Sequence, residues 1–368
     1  MTDFAVIGGG IAGVSAAAHL APHGSVILLE SERSLAFHTT GRSAAMFVAN
    51  YGADGSRPLG LASRTFLENP PEDSADAPLL SDRGLLWVSD EDRFDRLRAI
   101  AGDGEALGAG SVLVDQNEVL RLVPKMRPEH VAGGLYEPNA LDIDVAALHQ
   151  AFVRIARKSG AELQVSSPVT GLARVGRGWR VSTPGGDIEC AAVVNASGAW
   201  GDVVAGLAGI EPVGLRPMRR TAFMVPGDRS YDGWPFVVDV DQLFYFRPDG
   251  VQLLCSLAEE TPSPPLDPKP DMADVALAIE RINEATTLDI RSVNSQWTGL
   301  RTFAPDREMV IGEEPNASGF YWLVGQGGTG IQTSPAYGAL VASQVLDSGL
   351  PPGLSGVDPA VTSPARFR

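Results

Sequence analysis

The sequence predicts an α/β protein in two interleaved units. One is a doubly wound parallel sheet assembled from discontinuous segments, the other an α+β unit built on an antiparallel sheet. Three observations carry this reading. A strand–helix–strand pattern fills the first 30 residues. Buried-strand runs of the same kind return at residues 191–195 and 320–324. Between them, from Arg219 onward, short alternating runs separated by tight turns replace that pattern.

Phe4-Ala5-Val6-Ile7 is an apolar run too short for a helix and stopped by glycines, as in a strand covered on both faces. Ile11 to Leu20 is rich in alanine, the composition of a helix lying close on a sheet, and His23-Gly24 closes it. Ser25–Leu29 is the second buried strand, ending at Glu30. Further on, Asp144 is placed to cap a helix over Val145–Lys158 whose apolar stripe is Val145, Leu148, Phe152 and Ile155. Gly160 stops it before a strand at Glu162–Val165. Gly178–Ser182 and Asp187–Cys190 form a hairpin through Pro184-Gly185-Gly186, and Ala191–Asn195 reads as a separate buried strand. The meander follows as strands at Thr221–Val225, Phe236–Val240, Leu243–Arg247 and Val251–Ser256. A proline-rich surface loop over Thr261–Pro270 leads to a helix at Asp271–Ala285 and a strand at Asn294–Gly299. Phe320–Val324 is the last buried strand, and a glycine loop joins it to a helix from Ile331 to Asp347. Residues 1–50, 140–215 and 300–368 are thus assigned to the first unit, and 51–139 and 216–299 to the second.

At roughly 150 residues per domain, 368 residues suit two units. A chain of this length buries a core without needing disulfides or metal. The 29 Lys+Arg against 45 Asp+Glu leave a net charge of −16, opposite to the basic face that nucleic acid or an anionic membrane surface requires. Two cysteines, Cys190 and Cys255, are too few for a disulfide framework or a zinc cage and suit a reducing cytoplasm. No run of 18 apolar residues and no basic leader occurs, so neither an integral membrane segment nor a signal peptide is expected.

Gly8-Gly9-Gly10-Ile11-Ala12-Gly13 is GxGxxG between a strand and a helix. Gly8 makes the turn, Gly10 lets a pyrophosphate approach the backbone, and Gly13 lets helix and strand pack closely. Ile11 and Ala12 open the helix, whose free N–H groups and dipole favour an anion. Glu30, 22 residues after Gly8 and followed by Ser31, is placed for a ribose hydroxyl. The position of this motif at the start of a long chain with returning segments favours FAD over NAD.

Phe37-His38-Thr39-Thr40-Gly41-Arg42-Ser43-Ala44-Ala45, Asn195-Ala196-Ser197-Gly198-Ala199-Trp200 and Gly325-Gln326-Gly327-Gly328-Thr329-Gly330-Ile331-Gln332 follow in order. With GxGxxG they resemble the four motifs of the D-amino-acid oxidase/dehydrogenase superfamily, the FAD-dependent amine oxidoreductases, and are most similar to bacterial D-arginine dehydrogenase-type proteins. The resemblance implies a Rossmann-like, glutathione-reductase-type FAD-binding domain and non-covalent FAD. Carried over residue by residue, it assigns His38, Thr39, Thr40, Arg42, Ser43, Ala44 and Ala45 to the flavin. Val169, Ala196, Ser197, Gly198 and Trp200 go to the adenosine side, and Gly327, Gly328, Gly330, Ile331 and Gln332 to the flavin N1/O2 edge. As plain chemistry, Thr39, Thr40, Arg42 and Ser43 supply donors, and a glycine loop before a helix stabilises negative charge.

The resemblance also implies a substrate clamp. Arg301 lies where the family binds the substrate carboxylate, close to the cofactor, and Arg220 matches a second arginine. Guanidinium holds carboxylate through two parallel hydrogen bonds. Tyr245 and Tyr51 match tyrosines that close over the substrate, and residues 48–60 are expected to form a mobile lid. Leu85 stands where cation-preferring relatives carry an acid, and Met46 where histidine is frequent. With Phe236 and Val238 as walls and Gly328 and Gln332 at the flavin edge, the pocket reads as apolar. The implied reaction is oxidation of a neutral hydrophobic D-amino acid by hydride transfer from Cα to flavin N5, giving an imine that hydrolyses to a 2-oxo acid and ammonia. The alternative is oxidation of glycine, sarcosine or another secondary amine. A monooxygenase or an RNA-modifying flavoprotein is the weaker contrast. The electron acceptor is left open between oxygen, a quinone and another partner, and no metal site is expected.

Overall fold

The structure, a computed structural model, describes residues 2–106 and 110–368. Its first sheet has eight strands. Thr2–Ile7 is central, parallel to Val26–Leu29 on one side and to Gly186–Asn195 on the other. Phe320–Val324 adds in parallel beyond Gly186–Asn195, and Glu162–Gln164 beyond Val26–Leu29. These strands alternate between two cores. Phe4, Val6 and Leu28 face a core shared with the helices Ile11–Leu20, Val145–Lys158 and Ser334–Val345. Ala5, Ile7, Ile27, Leu29 and Val193 face a second, with Trp179, Val204 and Trp322. Both faces are covered, which is why these strands read as unbroken apolar runs.

Two expectations about this sheet need correction. Ala191–Asn195 is not a separate strand, because the hairpin arm continues into it as one ten-residue strand, Gly186–Asn195. Its first half pairs antiparallel with Gly178–Thr183 and its second half parallel with Thr2–Ile7; Cys190 faces Trp179 on one side and Thr2 on the other. No glycine or proline interrupts residues 187–195, so nothing ends the strand. The C-terminal helix runs from Ser334 to Val345 and not from Ile331, since turns occupy Thr329–Thr333 and buried Thr333 is its N-cap.

The second sheet has nine strands and contains the meander: Arg216–Pro226, Gln252–Ser256, Tyr245–Asp249 and Phe236–Asp239 lie in that order. Ser295–Phe303, three residues longer than the expected Asn294–Gly299, pairs along Arg216–Pro226. The sheet is mixed, however. Leu85–Ser89 joins parallel to Phe236–Asp239, and Gly133–Glu137 and Val112–Asp115 extend it. A small third sheet of Met46–Phe47, Leu141–Ile143 and Leu80–Asp82 links the flavin stretch to this part of the chain.

The segment read as a lid is partly regular. Residues from Ser56 to Glu68 form a helix whose Leu59, Ser63 and Leu67 are buried at a spacing of four. Among the described residues, no helix is long and apolar enough to cross a membrane.

Candidate active site

Gly8 ends the first strand with φ of 111°, and a Cβ there would lie 2.5 Å from the carbonyl oxygen of Ala196. The turn therefore presses against the end of the neighbouring strand, which only glycine allows. At Gly13 a Cβ would fall 1.8 Å from the Gly8 carbonyl oxygen, so that position sets the helix–strand distance and lies outside the cavity. Glu30 accepts from the Gly9 N–H through Oε2 at 2.6 Å, and through Oε1 from the Glu32 N–H at 2.8 Å and the Ser31 hydroxyl at 3.1 Å. Two turns are thus locked by one buried carboxylate, and both Glu30 and Ser31 line the cavity.

The flavin stretch closes over the helix start. Thr40 Oγ1 accepts from the Ile11 N–H at 3.0 Å. Thr39 Oγ1 donates to the Leu300 carbonyl at 2.8 Å, and Arg42 Nη1 to the Thr298 carbonyl at 2.8 Å. Trp297 Nε1 donates back to the Arg42 carbonyl at 3.0 Å, and Arg42 Nη2 pairs with Asp267 at 2.7 Å. Ser43 Oγ donates to the Thr39 carbonyl. Much of the donor set read from the sequence is therefore spent fixing this loop to the Ser295–Phe303 strand. His38 lies against Trp200 with ring centroids 4.7 Å apart.

A cavity of about 380 Å³ runs from the Gly8–Gly10 turn, past this stretch and the 196–200 motif, to Arg301 and the 327–331 loop. Of the residues assigned to the cofactor, all but Gly13 and Gln332 line it. Its walls show the features a dinucleotide needs: a glycine turn that a side chain would fill, an open helix start, and buried polar atoms with no protein partner, His38 Nδ1 and Thr302 Oγ1. These residues fit FAD.

The substrate end is built on one face of the second sheet. Arg220 faces Gly299 and Arg301 faces Met218, so the two guanidinium side chains leave the same face diagonally. Tyr245 faces Val238, which in turn faces Trp87, while Phe236 faces Leu85. The arginines differ in their partners. Arg220, 9% exposed, donates through Nε to the Glu259 carbonyl at 2.8 Å and lies 3.5 Å from Glu260, which also pairs with Arg307 at 3.0 Å. Burial and the adjacent Arg301 charge pull its pKa below the ordinary arginine value. Burial pushes the Glu259 carboxyl up against hydrogen bonds from Thr221 that hold it down. Arg301 has no carboxylate within 4 Å among the described residues; its Nη1 donates to Tyr51 OH at 3.3 Å.

That hydrogen bond stands between two spaces. Arg301 and Tyr245 line the inner cavity, and Tyr51 lines an outer one of about 860 Å³. Arg220, Gly327 and Gly328 border both. Gln332, 3% exposed, lines neither. Its Oε1 accepts from the Val48 N–H at 2.9 Å and its Nε2 donates to the Tyr51 carbonyl at 3.3 Å, bracing the loop that carries Tyr51. Met46, Leu85, Phe236 and Val238 also border neither cavity; they pack with one another around Tyr245. Sequence reasoning missed Trp87, two residues beyond Leu85 on the same strand face, which lines the outer cavity. It also missed Glu137, 2% exposed, which accepts from Trp87 Nε1 at 3.0 Å, and the Glu259-Glu260 pair that holds Arg220. Strand alternation was the available signal for Trp87, and none marked the acids.

The sequence profile of the family described as FAD dependent oxidoreductase matches residues 3–344. Human mitochondrial sarcosine dehydrogenase is 26% identical over 361 residues, covering 93% of this chain but 39% of that protein. The chain spans about two fifths of the length of the first curated relatives it matches. Glycine oxidase of Geobacillus kaustophilus is 24% identical over 93% of this chain and 92% of its own. The crystal structure of that oxidase superposes with a TM-score of 0.87 at 23% identity over 98% of both chains. L-proline dehydrogenase from P. horikoshii superposes with a TM-score of 0.87 at 20% identity, over 100% of this chain and 97% of that one. The architecture is theirs, FAD is the cofactor, and the chain belongs to the FAD dependent oxidoreductase family.

Proposed function

We propose that this protein oxidises the carbon–nitrogen bond of a small amino acid or N-substituted amino acid, of the glycine and sarcosine class. One observation carries the reading: Arg301 is a half-buried guanidinium without a carboxylate partner among the described residues, at the end of the cofactor cavity. A partly desolvated charge with no counter-ion is unfavourable, and a substrate carboxylate supplies the counter-ion. Arg220 is already served by Glu259 and Glu260 and acts as the fixed neighbour that shapes the seat.

FAD supplies the two-electron acceptor when bound. Arg301 takes the carboxylate in a bidentate grip and Tyr51 OH, already beside it, donates to the same group. Tyr245 and the backbone of the 327–330 loop close the remaining sides. The titratable carboxylate and imidazole on the inner cavity, Glu30 and His38, belong to its nucleotide end. Among the described residues, the substrate end of this cavity has no carboxylate or imidazole to act as general base, so the amine must arrive neutral, and kcat/KM rises with pH through the substrate amine pKa.

Leu85, Phe236 and Val238 fill against one another and border neither cavity, which favours glycine and its N-substituted relatives over D-amino acids with bulky Cα side chains. The names of the sarcosine and glycine enzymes above support the same class. The test is anaerobic mixing of the yellow holoprotein with glycine, sarcosine, dimethylglycine, D- and L-amino acids, following flavin bleaching, and then admitting oxygen. Bleaching by sarcosine or glycine at a kcat/KM above that of D-leucine and D-phenylalanine is expected. The reverse order restores the hydrophobic D-amino acid reading, and no bleaching by any amine rejects amine oxidation.

A further inference from the structure

Beyond the reacting end, the chain holds a larger space with no assigned use. We propose that the outer cavity is a substrate subsite for the substituent carried on the amine nitrogen, with Trp87 as its aromatic platform. The preferred class is then N-alkyl or N-aralkyl amino acids bulkier than N-methylglycine. The proposal rests on the reading above and deepens it.

The inner cavity, about 380 Å³, is where the cofactor-binding motifs converge, so a loaded protein has room there only for the reacting end of a substrate. Leu85, Phe236 and Val238 pack into the core around Tyr245 and border neither cavity, so they open no further space beside the reacting end. The space that remains next to Arg301 lies across Tyr51, where about 860 Å³ is bordered by Arg220 and Gly328 from the inner site. A methyl group leaves it almost wholly unused.

Its wall is mixed and more polar than apolar, with room for an apolar group on its Trp87 side and for a wet end elsewhere. Trp87, Ile100, Val240 and Ala258 supply apolar surface, and Arg57, Glu260 and Arg307 supply charged surface. Trp87 is held in place. Its indole N–H donates to Glu137, and Glu137 is also hydrogen-bonded by Asn50, the residue before Tyr51. With its polar edge satisfied inside the protein, the indole presents only ring surface to the cavity, and a ring or alkyl chain gains contact there without desolvating a donor. Glu137 is thus a positioning residue that ties the platform to the loop bearing Tyr51.

The experiment titrates holoprotein anaerobically with sarcosine, N-benzylglycine and D-phenylalanine. Flavin absorbance reads Kd from spectral perturbation and separately reads reduction. Wild type is expected to bind N-benzylglycine at least ten-fold tighter than sarcosine, and Trp87→Ala to lower that ratio at least ten-fold. Ile100→Trp, which fills the same cavity, is expected to lower it as well, and decides the matter if Trp87→Ala fails to retain flavin. A wild-type ratio near one, or a ratio within two-fold of wild type in both variants, overturns the subsite and leaves the cavity an entrance channel only. Tighter binding of D-phenylalanine than of N-benzylglycine overturns the assignment to nitrogen. If the ligands perturb the flavin with the expected ratios but none reduces it, the subsite stands and the amine-oxidation reading falls.

Discussion

Replacing Arg301 by methionine keeps much of the side-chain volume and removes the charge. In the proposed seat the guanidinium makes two hydrogen bonds to a carboxylate, each contributing about 1.5–3 kcal/mol when the partner is charged. Tyr51 OH, 3.3 Å from Nη1, donates to the carboxylate with or without Arg301 and so cancels in the comparison. The cost is then about 3–6 kcal/mol, or roughly 100- to 20,000-fold in Kd at 1.4 kcal/mol per decade. Arg301→Lys keeps a point charge but loses the fork, so a rise of about 10- to 100-fold is expected. Arg220→Met removes a group already engaged by Glu259 and Glu260 and should raise Kd less than Arg301→Met does. The assay is flavin perturbation by sarcosine, with acetate as a non-oxidisable carboxylate. A Kd for Arg301→Met within three-fold of wild type, alongside a hundred-fold loss in Arg220→Met, would refute the assignment of the carboxylate to Arg301.

Gly13→Ala puts a Cβ against the Gly8 carbonyl, and both are backbone-fixed, so loss of about 3 kcal/mol and of bound flavin is expected by melting and gel filtration. Gly206→Ala, in a helix with open space around it, is the matched control and should be neutral or stabilising. Burial holds the His19 pKa down at about 4 against an ordinary 6.5, so the unfolded chain binds that proton before the native one does. Stability is then complete above pH 6.5 and falls by about 3 kcal/mol as pH drops towards 4, with His149 shifted in the same direction by burial. His19→Phe should flatten urea-measured stability between pH 6.5 and 5; an unchanged slope assigns the acid loss elsewhere. Burial pushes the Cys190 thiol up to about 12 and Cys255 upward as well, so a thiol reagent should label neither in the native protein and both in denaturant.

Local chemistry was legible where a residue's role is settled by its neighbours in sequence. Asp144 caps Val145–Lys158 through the Ala147 N–H, as its position before the apolar stripe implied. The glycine turn, Glu30 and the four motifs converge on one cavity because each is a strand end or a turn whose composition reports its backbone geometry. Side-chain direction at a distance was not legible. Leu85 and Trp87 share a strand face, yet only register against Val238 and Tyr245 tells which reaches open space. Gln332 sits within a glycine motif, but its amide turns away to brace Val48 and Tyr51, 281 or more residues earlier in the chain. The Glu259 carbonyl and the Glu260 carboxylate acquire meaning only once Arg216–Pro226 brings Arg220 beside them.

The central position of Thr2–Ile7 has a consequence for how the chain acquires its cofactor. The first strand is flanked by Val26–Leu29, made at once, and by Gly186–Asn195, made much later; the strand beyond that, Phe320–Val324, comes later still. At roughly 5–20 residues per second, on the order of 15–60 s of synthesis separate the glycine turn from the last strand of its sheet. During that interval one hydrogen-bonding edge of Thr2–Ile7 has no partner, and the turn that Ala196 must buttress has nothing to lean on. Flavin is therefore expected to bind after the polypeptide has threaded back on itself, and cells short of FAD should accumulate aggregated chain in place of stable apoprotein.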